Sequence, residues 1–264
     1  MAKLRVNGIH LYYELTGDGP PLVVIAGQGT GPAARQPLID GLAKHHTVLS
    51  FDPRGTGRGD PAPQGDSMET LAQDALALMD AMKFETASIM GLSTGTGQAT
   101  VLAANHSDRV ERLVLASPWT HGDADFHTLQ NLRKAAARTM APEHYVHFNA
   151  LLLYYPPYRR VHAEQFNEMA RQAIGKAQDA ESIAARLDAI LAFDARPLYA
   201  RIACPALVCG ARDDLVMPFW FAEAAAQAIP AAQLFTISEG GHMFFDSRTE
   251  EFLHTVLPFL NRHA

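Results

Sequence analysis

The stretch Ile89-Met90-Gly91-Leu92-Ser93-Thr94-Gly95-Thr96-Gly97 sets a serine between two glycines at two-residue spacing. A strand-like apolar run, Ala87 to Met90, leads into it. A helix-like run of small residues, Thr94 to Asn105, leads out. A strand that turns abruptly into a helix holds the middle residue in strained backbone geometry and lifts its side chain clear of the sheet. The flanking glycines leave room for neighbouring backbone. Ser93 then stands at a helix N-terminus, where N–H groups and the helix dipole favour developing negative charge. These are the needs of a nucleophilic serine.

An alcohol is a poor nucleophile at neutral pH, so Ser93 needs a base and the base needs an orienting acid. Of the 12 histidines, His242 is the candidate base. It lies in Glu239-Gly240-Gly241-His242-Met243-Phe244, a glycine-rich loop after the last strand-like run. Ligand sites gather at that end of an open α/β sheet. Gly210-Ala211-Arg212-Asp213-Asp214 offers two candidate acids. Asp213 is taken as the acid and Asp214 as a turn or helix-capping residue. The chain order Ser, Asp, His fits a strand-turn-helix serine. An oxyanion needs two convergent N–H donors. The amide of Thr94 is one, and that of Gln28, in the glycine-rich loop after Leu22–Ile25, is the other.

Other chemistries are weaker on these residues. Gly27-x-Gly29-x-Gly31 lacks the six-residue glycine fingerprint and the matching acid of a dinucleotide site, so no cofactor is expected. His121-x-Asp123-x-Asp125-x-His127 would share a face only on a strand. Gly122 and the helical pattern that follows instead suggest a loop and an Asp-capped helix start, so no metal site is expected. Asp52 and Arg54 are expected to brace the loop behind the elbow.

These residues need a particular frame. Leu4–Val6 and Ile9–Leu15 read as a hairpin about Asn7-Gly8. Leu22–Ile25 and Thr47–Phe51 are continuously apolar, as strands covered on both faces are. With a helix over Ser67–Met82, the elbow, and an apolar strand over Arg112–Ala116, strands and helices alternate from about residue 20 to 116. That pattern implies a right-handed, mostly parallel α/β sheet. From Trp119 to Pro197 the spacing is helical, as in Leu129, Leu132, Ala136 and Met140. An aromatic cluster, Tyr145, Phe148, Tyr154, Tyr155 and Tyr158, lies within it. The sheet pattern then resumes. We read residues 1–118 and 198–264 as the core and 119–197 as an inserted helical cap. Tyr154 with Trp119, Met243 and Phe244 would shape a mainly apolar substrate pocket.

The chain has 264 residues, enough for one sizeable core. Its net charge of −6 offers no footprint for nucleic acid or an anionic membrane, and no apolar run reaches transmembrane length. Met1-Ala2-Lys3-Leu4-Arg5 leads into strand-like residues and not into a signal-peptide apolar region. Cys204 and Cys209 are too far apart to bridge on one extended strand and suit a reducing cytoplasm. The expected partner is a small-molecule substrate; a homodimer is compatible with the sequence.

Over nearly its whole length the chain resembles the α/β-hydrolases. The resemblance is carried by Gly91-Leu92-Ser93-Thr94-Gly95, Asp52-Pro53-Arg54-Gly55-Thr56-Gly57, Gly210-Ala211-Arg212-Asp213 and Gly241-His242. It implies an eight-stranded, mostly parallel sheet with helices on both faces, and a triad of Ser93, Asp213 and His242. Two departures stand out. Ala26-Gly27 replaces the usual His-Gly, and Thr96 interrupts the usual paired glycines. Within the family the chain is similar to the aminoacrylate or carbamate hydrolases of pyrimidine breakdown and to 3-oxoadipate enol-lactone hydrolases. The resemblance implies a cofactor-independent serine hydrolase acting on a small ester, lactone, enol-lactone or amide-type bond. A carbon–carbon bond hydrolase, a perhydrolase or a cofactor-free dioxygenase could use the same triad, and a ligand receptor could keep the fold. Haloalkane dehalogenase and epoxide hydrolase chemistry needs a carboxylate where Ser93 stands.

Overall fold

The computed structural model describes residues 2–27, 35–60 and 67–261. Its strands are β1 Ala2–Val6, β2 Ile9–Thr16, β3 Pro21–Ile25, β4 Thr47–Phe51, β5 Ala87–Leu92, β6 Val110–Ala116, β7 Ala206–Ala211 and β8 Ala232–Ile237. They form one eight-stranded sheet in the order β1-β2-β4-β3-β5-β6-β7-β8. The β1–β2 hairpin turns at Asn7 and Gly8, both at positive φ, as an Asn-Gly turn favours. β2 runs antiparallel to β4, and all later pairings are parallel.

Side chains alternate across a strand, and the central strands are apolar at both parities. Val23, Ile89, Leu113, Leu115 and Val208 join one core cluster, while Leu22, Met90, Val114, Leu207 and Cys209 join the other. The first face is covered by helices α2 Met68–Ala81, α3 Gly95–Asn105 and α10 Phe219–Ala228. The second is covered by α1 Gln36–Ala43 and α12 Thr249–Leu260. α2 begins one residue after Ser67, whose Oγ accepts from Thr70 N at 3.2 Å and so satisfies an amide the helix itself leaves open. Arg54 donates twice to Asp74 of α2, at 2.6 and 2.7 Å, and Asp52 accepts from the Arg58 backbone at 2.8 Å. These bonds brace the 52–58 loop.

Between β6 and β7 the chain is helical: α4 Ala124–Thr139, α5 Pro142–Leu153, α6 Pro156–Val161, α7 Ala163–Ala173, α8 Ala180–Ala192 and the short α9 Arg196–Tyr199. α4 packs on α8, and α5 on α7. Asp123 caps α4 by accepting from Phe126 N at 2.8 Å. A last short helix, α11 Phe244–Ser247, follows β8. Cys204 precedes β7 and Cys209 lies within it; both are free and buried. No helix among the described residues is long and apolar enough to cross a membrane.

Candidate active site

Ser93 joins β5 to α3 at φ +53°, a conformation costing a non-glycine residue on the order of 1–3 kcal/mol. The surroundings hold it there. Ser93 N donates to Ala116 O on β6 at 2.8 Å, and Ser93 O accepts from Thr96 N at 2.9 Å and from Thr96 Oγ1 at 2.6 Å. A Cβ on Gly91 would lie 2.6 Å from Gly95 O, and one on Gly95 would run into the Ile25 carbonyl. Both flanking glycines are therefore required by close backbone approach. Gly27, just beyond β3, would set a Cβ 2.8 Å from that of Ser93, so the β3 loop begins directly against the nucleophile.

Ser93 Oγ and His242 Nε2 are 2.7 Å apart. His242 Nδ1 stands 2.9 Å from Asp214 Oδ2 and 3.1 Å from Oδ1. A carboxylate can only accept, so Nδ1 carries the proton and Nε2 accepts from the serine hydroxyl. His242 and Asp214 are 2% and 5% exposed, so little water competes for these bonds. The sequence expectation of Asp213 as the histidine's partner is corrected here. Asp213 accepts from Gly240 N at 3.0 Å and Gly241 N at 2.9 Å, and so pins the loop that carries the imidazole. Asp214 Oδ1 accepts from Val216 N at 2.8 Å and Met217 N at 2.9 Å. These bonds form a side-chain turn that aims the carboxylate at His242. The expected turn role of Asp214 and the acid position coincide in one residue.

The His242 loop is also tied to the helical segment and to β6. Met243 N donates to Leu153 O at 2.9 Å, Ser117 Oγ donates to His242 O at 3.1 Å, and Gly241 sits at φ +69° against the Leu153–Tyr155 backbone.

A cavity of about 550 Å³ opens over Ser93 and His242. Thr94, Tyr154 and Met243 line it. Trp119 and Phe244, expected in its wall, do not. Trp119 is 1% exposed, its Nε1 donates to Ile190 O at 3.2 Å, and it packs on Phe193 and against Gly97. Phe244 is fully buried among Phe245 and Phe252. Along the turn after His242, Met243 faces the cavity and the next side chain points into the core. Gln28 lies outside the described residues.

Three charged residues of the wall carry no signal in the sequence: Arg35, Arg133 and Asp246. Tyr154 hydroxyl donates to Asp246 Oδ2 at 2.9 Å. Burial raises the Asp246 carboxyl above its ordinary pKa, opposed by that hydrogen bond and by the charge of Arg35. Burial lowers the Arg35 guanidinium to about 10. Burial and the Asp246 charge push the Tyr154 phenol up.

The stretch from His121 to His127 is spent locally. Asp123 caps α4 and accepts from Trp220 Nε1, and His121 Nδ1 is 2.8 Å from Thr120 Oγ1. Among the described residues no three potential metal ligands gather.

Comparison with known proteins fits this frame. Residues 20–249 match the family model of the alpha/beta hydrolase fold. Proteins named as the carbamate hydrolase RutD are similar over nearly their full length. That of Azorhizobium caulinodans is 30% identical over 249 residues, covering 94% of each chain. That of Caulobacter segnis is 30% identical, covering 98% of this chain and 99% of its own. The solved enol-lactonase of Burkholderia xenovorans superposes with a TM-score of 0.87 at 28% identity, covering 99% of this chain and 100% of its own. The chain belongs to the α/β-hydrolase family.

Proposed function

We propose that this hydrolase is a serine hydrolase that cleaves a small ester, lactone, enol-lactone or amide- or carbamate-type bond through an acyl-enzyme. The observation that carries the reading is the continuous hydrogen-bonded line from Ser93 through His242 to Asp214. Ser93 Oγ attacks the carbonyl carbon as His242 Nε2 takes its proton. Asp214 keeps the imidazole in the required tautomer and stabilises the imidazolium. The oxyanion is held by the Thr94 amide, at the start of α3, and by a second amide from the loop after Gly27. His242 returns its proton to the leaving group. Water, deprotonated by the same imidazole, then frees Ser93.

The segment 119–197 acts as the cap. It supplies Arg133, Leu153, Tyr154 and Phe166 to the cavity, against Met243 from the core. The volume of about 550 Å³ suits a small molecule. Two free buried thiols support a reducing, cytoplasmic compartment. The similarity to carbamate hydrolases and to an enol-lactonase favours acyl-type substrates.

The test is turnover of p-nitrophenyl acetate by Ser93→Ala, with folding checked by circular dichroism. Loss of at least three powers of ten in kcat is expected, since a missing nucleophile costs about 10⁶ in a comparable triad. A folded variant with near-wild-type turnover would refute the assignment.

A further inference from the structure

Ser93 is 9% exposed and His242 2%, so a substrate has to pass between side chains to reach them. Among the described residues of the cavity wall, three side chains are exposed to solvent: Pro37 of α1, and Gln165 and Met169 of α7. Gln165 and Met169 are four residues apart, so they stand one above the other on one face of their helix. The cavity therefore reaches the surface along α7.

A second hollow, of about 350 Å³, lies outside that point. Val146 and Met169 line both spaces. On α5, Pro142 and Tyr145 continue the outer hollow beyond Val146, while Asn149 and Leu153 continue the cavity. These positions recur at three and four residues, the period of one helix face. On α7, Met169 passes to Gln172 and Ala173 at the same spacing. The two hollows are compartments of one seam between α5 and α7, which pack on each other. Val146 and Met169 form its neck. The outer end opens beside Lys176, which is exposed.

The two neck residues differ in stiffness. Val146 is β-branched, and a helix holds such a side chain to one χ1 rotamer. Met169 is unbranched, with three rotatable bonds. It is 48% exposed, so half of its surface has no neighbour to hold a rotamer. Exposed side chains change rotamer on the order of nanoseconds or faster. Met169 can swing outward, and Val146 is the fixed post.

We propose that the seam between α5 and α7 is the route by which substrate reaches Ser93, with Met169 as the specificity-determining side chain that sets the girth of what passes. The inference rests on the serine-hydrolase reading and sorts its acyl substrates by width, slender ones entering faster than broad ones. A neck is crossed on the way in and on the way out. Narrowing it raises one barrier for both directions, so association and dissociation slow by the same factor and Kd stays. A side chain that touches the bound ligand instead changes Kd, chiefly through dissociation.

The probes are naphthalene-2-boronic acid, which is broad, and methylboronic acid, which is slender. The Ser93 oxygen adds to the empty boron orbital and His242 takes the hydroxyl proton, with nothing leaving, so the adduct is reversible. Onset and decay of inhibition of p-nitrophenyl acetate turnover give the two rates. In Met169→Trp both rates for the naphthalene probe are expected to fall at least tenfold with Kd within threefold, while those for methylboronic acid change less than threefold. In Met169→Ala both naphthalene rates rise at least threefold. Unchanged naphthalene rates in either variant, a shift in Kd carried by dissociation alone, or the same slowing in Pro37→Trp overturns the proposal. Met169→Ala decides alone should Met169→Trp not fold. Failure of the serine-hydrolase reading looks different: Ser93→Ala would bind both boronic acids as tightly as wild type does.

Discussion

Two adjacent carboxylates divide one task at the His242 loop. Asp214 touches the imidazole, and Asp213 holds the Gly240 and Gly241 amides that carry it. Their loss has different signatures. Asp214→Asn leaves an amide that can present its NH2 to Nδ1 and favour the wrong tautomer. In a comparable triad this costs about 10⁴ in kcat. Asp213→Asn keeps one acceptor for the loop amides and loses the charge. It is expected to lower kcat by roughly tenfold or less, and to lower the melting temperature by removing charge-assisted bonds worth about 1.5–3 kcal/mol each. Esterase kinetics and thermal melts of both variants check the pair; equal losses of kcat would contradict the division.

This residue pair also marks the limit of what the sequence makes legible. A serine between glycines, after an apolar run and before small residues, is a local pattern, because the strained turn is built from those residues. Which of two neighbouring aspartates reaches a histidine 28 positions further on depends on how the backbone turns at Val216 and Met217, and composition does not record that turn. The same holds for Met243 and Phe244, adjacent apolar residues that one tight turn sends in opposite directions.

At the scale of elements, the site is a joint between the sheet and the helical segment. The α5 end lies on the His242 loop through Met243 N to Leu153 O, and Tyr154 reaches across to Asp246 of α11. Asp246 adds pH dependence to that joint. Its pKa is raised in the folded protein, chiefly by burial, so the folded state binds its proton more readily than the unfolded chain does. Stability from this group is therefore full below the unfolded carboxylate range and is lost as pH rises through the raised value. Asp246→Asn carries no charge to desolvate, and its amide oxygen can still accept from Tyr154. Its melting temperature relative to wild type is expected to rise between about pH 4 and pH 8. A difference that stays constant or falls would contradict the burial argument.

Helix identity was readable here and helix placement was not. In α8 the expected stripe is the buried one, with Leu187 and Ile190 in the core; in α4 the buried side chains are Phe126, Gln130, Ala136 and Ala137, and Leu132 and Met140 of the expected stripe are exposed. Trp119 belongs beneath those helices because Gly97 of α3 leaves space for its ring, a fact about two distant elements.

Over the whole molecule, the two-sided core follows from central strands apolar at both parities, and the alternation of strands with helices along the chain is why the fold class was accessible from sequence; the strand order was not. Arg133 and Asp246 were not accessible. They come from α4 and from the short α11 after the last strand, and only the folded chain gives them a common cavity. The turns after β5, β7 and β8 hold Ser93, Asp214 and His242 in one hydrogen-bonded line, with Ser93 and His242 on the cavity wall, and the central claim is that the three act as one nucleophilic unit. Reaction with a fluorophosphonate, read by intact mass and peptide mapping, tests that claim most directly. The account predicts a single adduct on Ser93, absent from Ser93→Ala and formed at least a hundredfold more slowly in His242→Ala. An adduct on another residue, or a labelling rate indifferent to the loss of His242, would contradict it.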